Sequence, residues 1–75
     1  MFELWDLTSR NVTGLFETKA AALAAVRAAA ELRGRDYAAA FALIREDQRG
    51  NSRTIAKGPK LIELALQTRA AASLP

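Results

Sequence analysis

The sequence predicts an α+β domain of order ββαββα: a four-stranded antiparallel sheet built from two β-hairpins, with helices packed on one face. Three observations carry this. An alanine-rich stretch from Glu17 to Gly34 has both a helix start signal and a helix stop signal. Runs of strand-like composition, broken by polar turn residues, lie on either side of it. After Gly58 and Pro59, a densely apolar run follows at helical spacing.

Phe2 to Leu7 (FELWDL) alternates and is rich in aromatic and aliphatic residues, which suits a strand with one face in the core. Thr8, Ser9, Arg10 and Asn11 are turn-forming, and Val12 to Glu17 resumes as the second strand. Two registers are open. Pairing Leu7 with Val12 sets Trp5 opposite Gly14, whereas a shift of one residue sets Phe2 opposite Phe16. Either way Phe2, Leu4 and Phe16 turn towards the helix, leaving Trp5 and Leu15 on the other face.

Thr18 is the expected N-cap of the central helix, because its hydroxyl can accept from a free amide of the first turn. Gly34 is the expected terminator, with Arg33 and Arg35 beside the negative end of the helix dipole. Leu23, Val26 and Ala30 fall on one face and form the sheet-facing stripe. On the far side Ala21, Ala25, Ala28 and Leu32 make a second, uncharged line. Two readings of that line stand. Alanine is the best helix former and costs little in water, so the line can be propensity alone. Small side chains also let another helix approach closely, either the C-terminal helix or its counterpart in a second chain.

Ala38 to Glu46 (AAAFALIRE) is the expected third strand, with another helical turn as the alternative for its alanine-rich start. Asp47 to Ser52 is a polar break in which Gly50 and Asn51 can take positive φ. Ser52 to Ala56 (SRTIA) is the fourth strand. Ile55 is its one large apolar residue, as on an edge, and Arg53 and Lys57, two steps of alternation apart, guard that edge. Proline is favoured at the first helical position, so the last helix starts at Pro59. Leu61, Leu64 and Ala65 form its stripe, flanked by Ile62 and Leu66. Residues 1–69 make one domain and 70–75 a frayed tail.

Seventy-five residues hold one small core. A domain this size buries only about 60–65% of its unfolded surface, which makes for modest stability. At 51% hydrophobic and 25% charged, the chain is too apolar for disorder. It contains no cysteine and no histidine, which removes disulfides, thiolate chemistry and the commonest general base and metal ligand. There is no phosphate loop, no dinucleotide fingerprint and no metal-ligand spacing. Glu46 and Asp47 are adjacent, and neighbours in a strand point to opposite faces, so they do not form an acid–base pair. The expectation is therefore a non-enzymatic protein without cofactor or metal. MFELWD has neither the basic region nor the apolar run of a signal peptide, and no stretch has the length of a membrane span, so a cytoplasmic protein is expected.

Two surfaces stand out as candidate sites. The first is apolar: Trp5 and Leu15 on the uncovered sheet face, the Ala21, Ala25, Ala28 and Leu32 line, and Ile62 and Leu66 on the last helix, all candidates for a homodimer interface. The alternative for Trp5 is a ring lying flat across its neighbours. The second is basic. Between Arg45 and Lys60 five cations face two acids, an excess of three that equals the net charge of the chain. Arg49, Arg53, Lys57 and Lys60 form a strip that suits a nucleic acid or another polyanion, with a solvated basic edge as the alternative.

The layout resembles small bacterial ββαββ proteins of unknown function, in which a strand ends in Phe-x-Thr and runs into an alanine-rich helix. Here that junction is Phe16, Glu17 and Thr18, and the resemblance spans Phe2 to Gly58 without implying an activity. The chain is also similar to HicB-type antitoxins, whose sheet leads into a helix opened by a threonine-like cap. Those place three strands before the helix, whereas this chain has room for two, so no residue roles transfer.

Overall fold

Thr18 joins the first hairpin to the first helix. Its backbone is extended (φ −126°, ψ 152°) and its hydroxyl accepts from the amide of Ala21 at 3.1 Å, so the N-cap forms as the sequence predicts. The structure, a computed structural model, describes the backbone of residues 1–73 and side chains as far as Gln67. Its elements are β1 (Phe2–Asp6), β2 (Asn11–Phe16), α1 (Lys19–Arg33), α2 (Arg35–Ala38), β3 (Phe41–Glu46), β4 (Ser52–Lys57) and α3 (Pro59–Ser73). The sheet is antiparallel in the order β2-β1-β3-β4, which is the α+β architecture expected. α3 continues into the region expected as a tail, and Leu74 and Pro75 lie outside the described residues.

Gly34 ends α1 at φ 92°, ψ 163°, a combination that only glycine adopts without strain. Its amide donates to the carbonyl of Ala30 at 2.9 Å. The chain then makes one further helical turn. Here the structure corrects the expected third strand, which begins at Phe41 rather than Ala38. Ala38 is buried in α2, and the amides of Ala38 and Ala39 donate back to the carbonyls of Gly34 and Arg35. Alanine favours a helix, and with no bulk to fill a pleated face these residues take the local bonds of a turn instead.

α1 and α3 cover one face of the sheet. The core joins Leu4 of β1 and Phe41 and Leu43 of β3 to Ala22, Leu23 and Val26 of α1 and to Leu61 and Ala65 of α3. Phe2 and Phe16 pack against it from the side. Among the described residues no polar or charged side chain is buried. With a smallest dimension of 16 Å, the molecule is a two-layer slab whose second sheet face is covered by no helix or strand among the described residues.

The topology is two-fold. Leu4 pairs with Leu43 at the middle of the central β1–β3 ladder, and each outer strand carries an irregularity at the matching place. In β2 the extra residue is Thr13, between the Val12–Trp5 and Gly14–Leu4 pairs. In β4 it is Ile55, between the Thr54–Ile44 and Ala56–Leu43 pairs. The helices repeat the pattern: Ala22, Leu23 and Val26 are buried in α1, and Leu61, Ile62 and Ala65 in α3. Each ββα half thus supplies equivalent positions to a single shared core.

The bulge at Thr13 resolves the register. Phe2 does pair with Phe16, but the extra residue sets Trp5 opposite Val12 rather than Gly14. Gly14 is covered by the ring of Phe16 instead, so closely that a Cβ on Gly14 would meet Phe16 Cε2 at 2.9 Å.

Candidate interaction surface

The pairings define the uncovered face as two rows that cross the whole sheet. One runs Leu15, Glu3, Ile44, Thr54 and the other Val12, Trp5, Ala42, Lys57. A regular strand would place Val12 and Leu15, three residues apart, on opposite faces. The extra residue at Thr13 brings them to the same one. Leu15 leaves 62% of its surface in water and Val12 40%. Ile44 and Trp5 are half-buried, and Ala42 beside Trp5 is buried. The Trp5 indole N–H donates to Glu3 Oε1 at 3.3 Å, so the polar edge of the ring is met within its own strand, and part of the ring remains exposed.

The other apolar candidates behave differently. On α1, Ala21, Ala28 and Leu32 are exposed and Ala25 is half-buried, so neither the sheet nor α3 covers that line, and Leu32 is 86% exposed. Ile62 is buried within the chain and Leu66 half-buried. Together with Ala39 and Pro59 they line a groove between α2 and α3.

The basic strip is not continuous. Sequence alternation puts Arg53 and Lys57 on one face, but the extra residue at Ile55 separates them. Arg53 pairs with Arg45 on the helix side, beyond the reach of the core, while Lys57 pairs with Ala42 on the uncovered face. Arg45 lies over the ring of Phe2, 5.9 Å from its centre, which offsets part of the repulsion between two arginines set directly opposite. Arg49 stands in the β3–β4 turn and Lys60 in the first turn of α3, both exposed. That turn is tied by Asp47, whose carboxylate accepts from the amides of Arg49 at 2.8 Å and Asn51 at 2.9 Å. These bonds, the Asn51 amide foremost, hold the Asp47 carboxyl below its ordinary pKa.

Val12 and Ile44 are surface residues that the sequence does not single out, and Arg45, one of the five cations in the basic segment, falls outside the strip that the sequence predicts. Gly14 inside a strand was the one signal of an irregularity in β2, since glycine in a strand often marks a bulge. Nothing comparable marks β4. Among the described residues there is no group of three or more acidic, cysteine or histidine side chains placed to hold a metal, and no helix is long and apolar enough to cross a membrane. Set against protein families, characterised proteins and solved structures, the chain matches none.

Proposed function

We propose that this chain is a non-enzymatic, cytoplasmic interaction module that self-associates through its sheet, with the apolar residues of the uncovered face at or beside the contact. The observation that carries the reading is the placement of Val12, Leu15, Trp5 and Ile44 on one bare face of a two-layer domain. Two-layer domains bury a sheet on one side only, and apolar and aromatic side chains collected on the other are what an association surface requires. The test is the solution mass over a wide concentration range, by sedimentation or light scattering, with Trp5 emission reporting that the chain stays folded. A dimer that dissociates on dilution is expected. A monomer at every concentration overturns the reading.

A second reading has its own support. Arg45 and Arg53 sit side by side, with Arg49 in the adjoining turn, and a cross-strand pair of like charges is stabilised by an anion laid between them. A polyanion such as a single-stranded nucleic acid would then bind with strong salt dependence, weakened in parallel by Arg45→Gln and Arg53→Gln. Affinity indifferent to salt or to both substitutions removes this reading.

A further inference from the structure

The exposed large apolar side chains are unevenly spread. Of the six among the described residues, Met1, Leu7, Val12 and Leu15 belong to the first hairpin or its approach and none to the second. The two outer strands differ in the same sense. β4 carries Arg53 and Lys57, cations that discourage pairing along a free edge. β2 (NVTGLF) has no charge in its length, so its open edge of backbone amides and carbonyls lacks that guard. Charge appears only just outside the strand, with Arg10 before it and Glu17 after it, both exposed.

That strand is complementary to itself. When two copies of β2 run antiparallel about a two-fold between Thr13 and Gly14, Val12 of each falls opposite Leu15 of the other, and Arg10 of each opposite Glu17 of the other. Faces agree as well as register. Val12 and Leu15 both lie on the uncovered face, while Asn11 and Phe16, opposed in the same way, lie on the helix side with their partners Asp6 and Phe2. The irregularity at Thr13 is what makes this match possible, since without it Val12 and Leu15 would point to opposite sides.

Resting on the self-association reading, we infer that the partner at this edge is a second copy of the chain, joined β2 to β2 into one eight-stranded antiparallel sheet. Both helix layers then lie on the same side, and both Trp5 rings share one continuous uncovered face. A single strand pair is a small interface, at the low end of specific contacts, so the dimer is weak and concentration-dependent. A strand from another protein would satisfy the same backbone groups, but the Arg10 to Glu17 and Val12 to Leu15 complementarity favours the chain itself.

The absence of cysteine makes the test direct. Val12→Cys and Leu15→Cys chains are prepared separately, mixed and oxidised gently while the mass of the unmodified protein is followed. Directly opposed residues of an antiparallel pair have Cα atoms about 4.5–5.5 Å apart, within disulfide reach, whereas sheets stacked face to face lie about 10 Å apart, beyond it. The expected result is a mixed disulfide at least about tenfold more abundant than either same-variant product. A second readout does not need crosslinking. Arg10→Glu and Glu17→Arg should each weaken the dimer by about tenfold, and the chain carrying both should return to within about twofold of the original. A dimer that gives no preference for the mixed disulfide and no charge rescue overturns the edge pairing while self-association stands. A monomer at every concentration overturns both and leaves the edge to a foreign strand.

Discussion

Leu15→Ala separates the stability of the fold from the strength of association. Burying a leucine completely is worth about 1.5–3 kcal/mol. Leu15 keeps 62% of its surface in water, so the part still to be covered amounts to about 1–2 kcal/mol. A neighbour lying alongside in a joined sheet covers about half of that, in line with the about 0.2–1 kcal/mol measured for cross-strand pairs. The two-fold counts the loss twice, for about 1–2 kcal/mol per dimer, so Leu15→Ala should weaken dimerisation by about 5- to 30-fold. The monomer should lose no more than about 1 kcal/mol, because only the smaller share of the side chain is covered within it. Sedimentation equilibrium gives the first quantity, and urea unfolding of dilute protein gives the second. An unchanged dimer constant, or a monomer destabilised by more than about 1 kcal/mol, would refute the assignment of Leu15 to an association surface.

Three further outcomes are expected from the fold itself. Leu43 is fully buried at the centre of the sheet, and Leu43→Ala should cost about 3–5 kcal/mol of a total near 4–11 kcal/mol, read as loss of the cooperative urea transition or its shift to low denaturant. Arg10 holds a positive φ of 59° in the β1–β2 turn, so Arg10→Gly should raise stability by about 0.5–1 kcal/mol in thermal or urea unfolding, and a loss would mean the turn is held by the arginine side chain. Asp47 is held below its usual value of 3.8, so its ionised form binds the turn in the folded state. That stabilisation is complete above pH 3.8 and is lost as the pH falls through the lower folded value, so the urea midpoints of the protein and of Asp47→Asn should converge in acid and not in base.

Elements marked by a chemical switch between residue types could be found from the chain alone. Thr18 and Gly34 bracket α1 because a hydroxyl cap and a positive-φ glycine are local devices, and Pro59 opens α3 for the same kind of reason. The strand faces of Leu4 and Trp5 followed from alternation. What alternation does not contain is an extra residue. Thr13 and Ile55 are ordinary strand residues, and the bulges they occupy show only in how each outer strand pairs with its central neighbour. The consequences fell on the candidate surfaces. One bulge gathered Val12 and Leu15 on a common face, and the other parted Arg53 from Lys57. Ala38 was ambiguous for a different reason: alanine fits a turn or a strand, and what decides is the pair of backbone bonds from Ala38 and Ala39 back to Gly34 and Arg35.

The two-fold core also sets the order in which the chain can fold. The hairpins and α1 are closed by short stretches of sequence, but the ladder at the centre pairs Leu4 with Leu43 and must draw together strands separated by one strand and two helices. Closing that loop costs entropy before any of the shared core rewards it. Each ββα half covers only part of its apolar face by itself, so the encounter of β1 with β3 is expected to limit the rate. Substitutions at Leu4 or Leu43 should therefore slow folding, whereas those at the outer strands mainly speed unfolding.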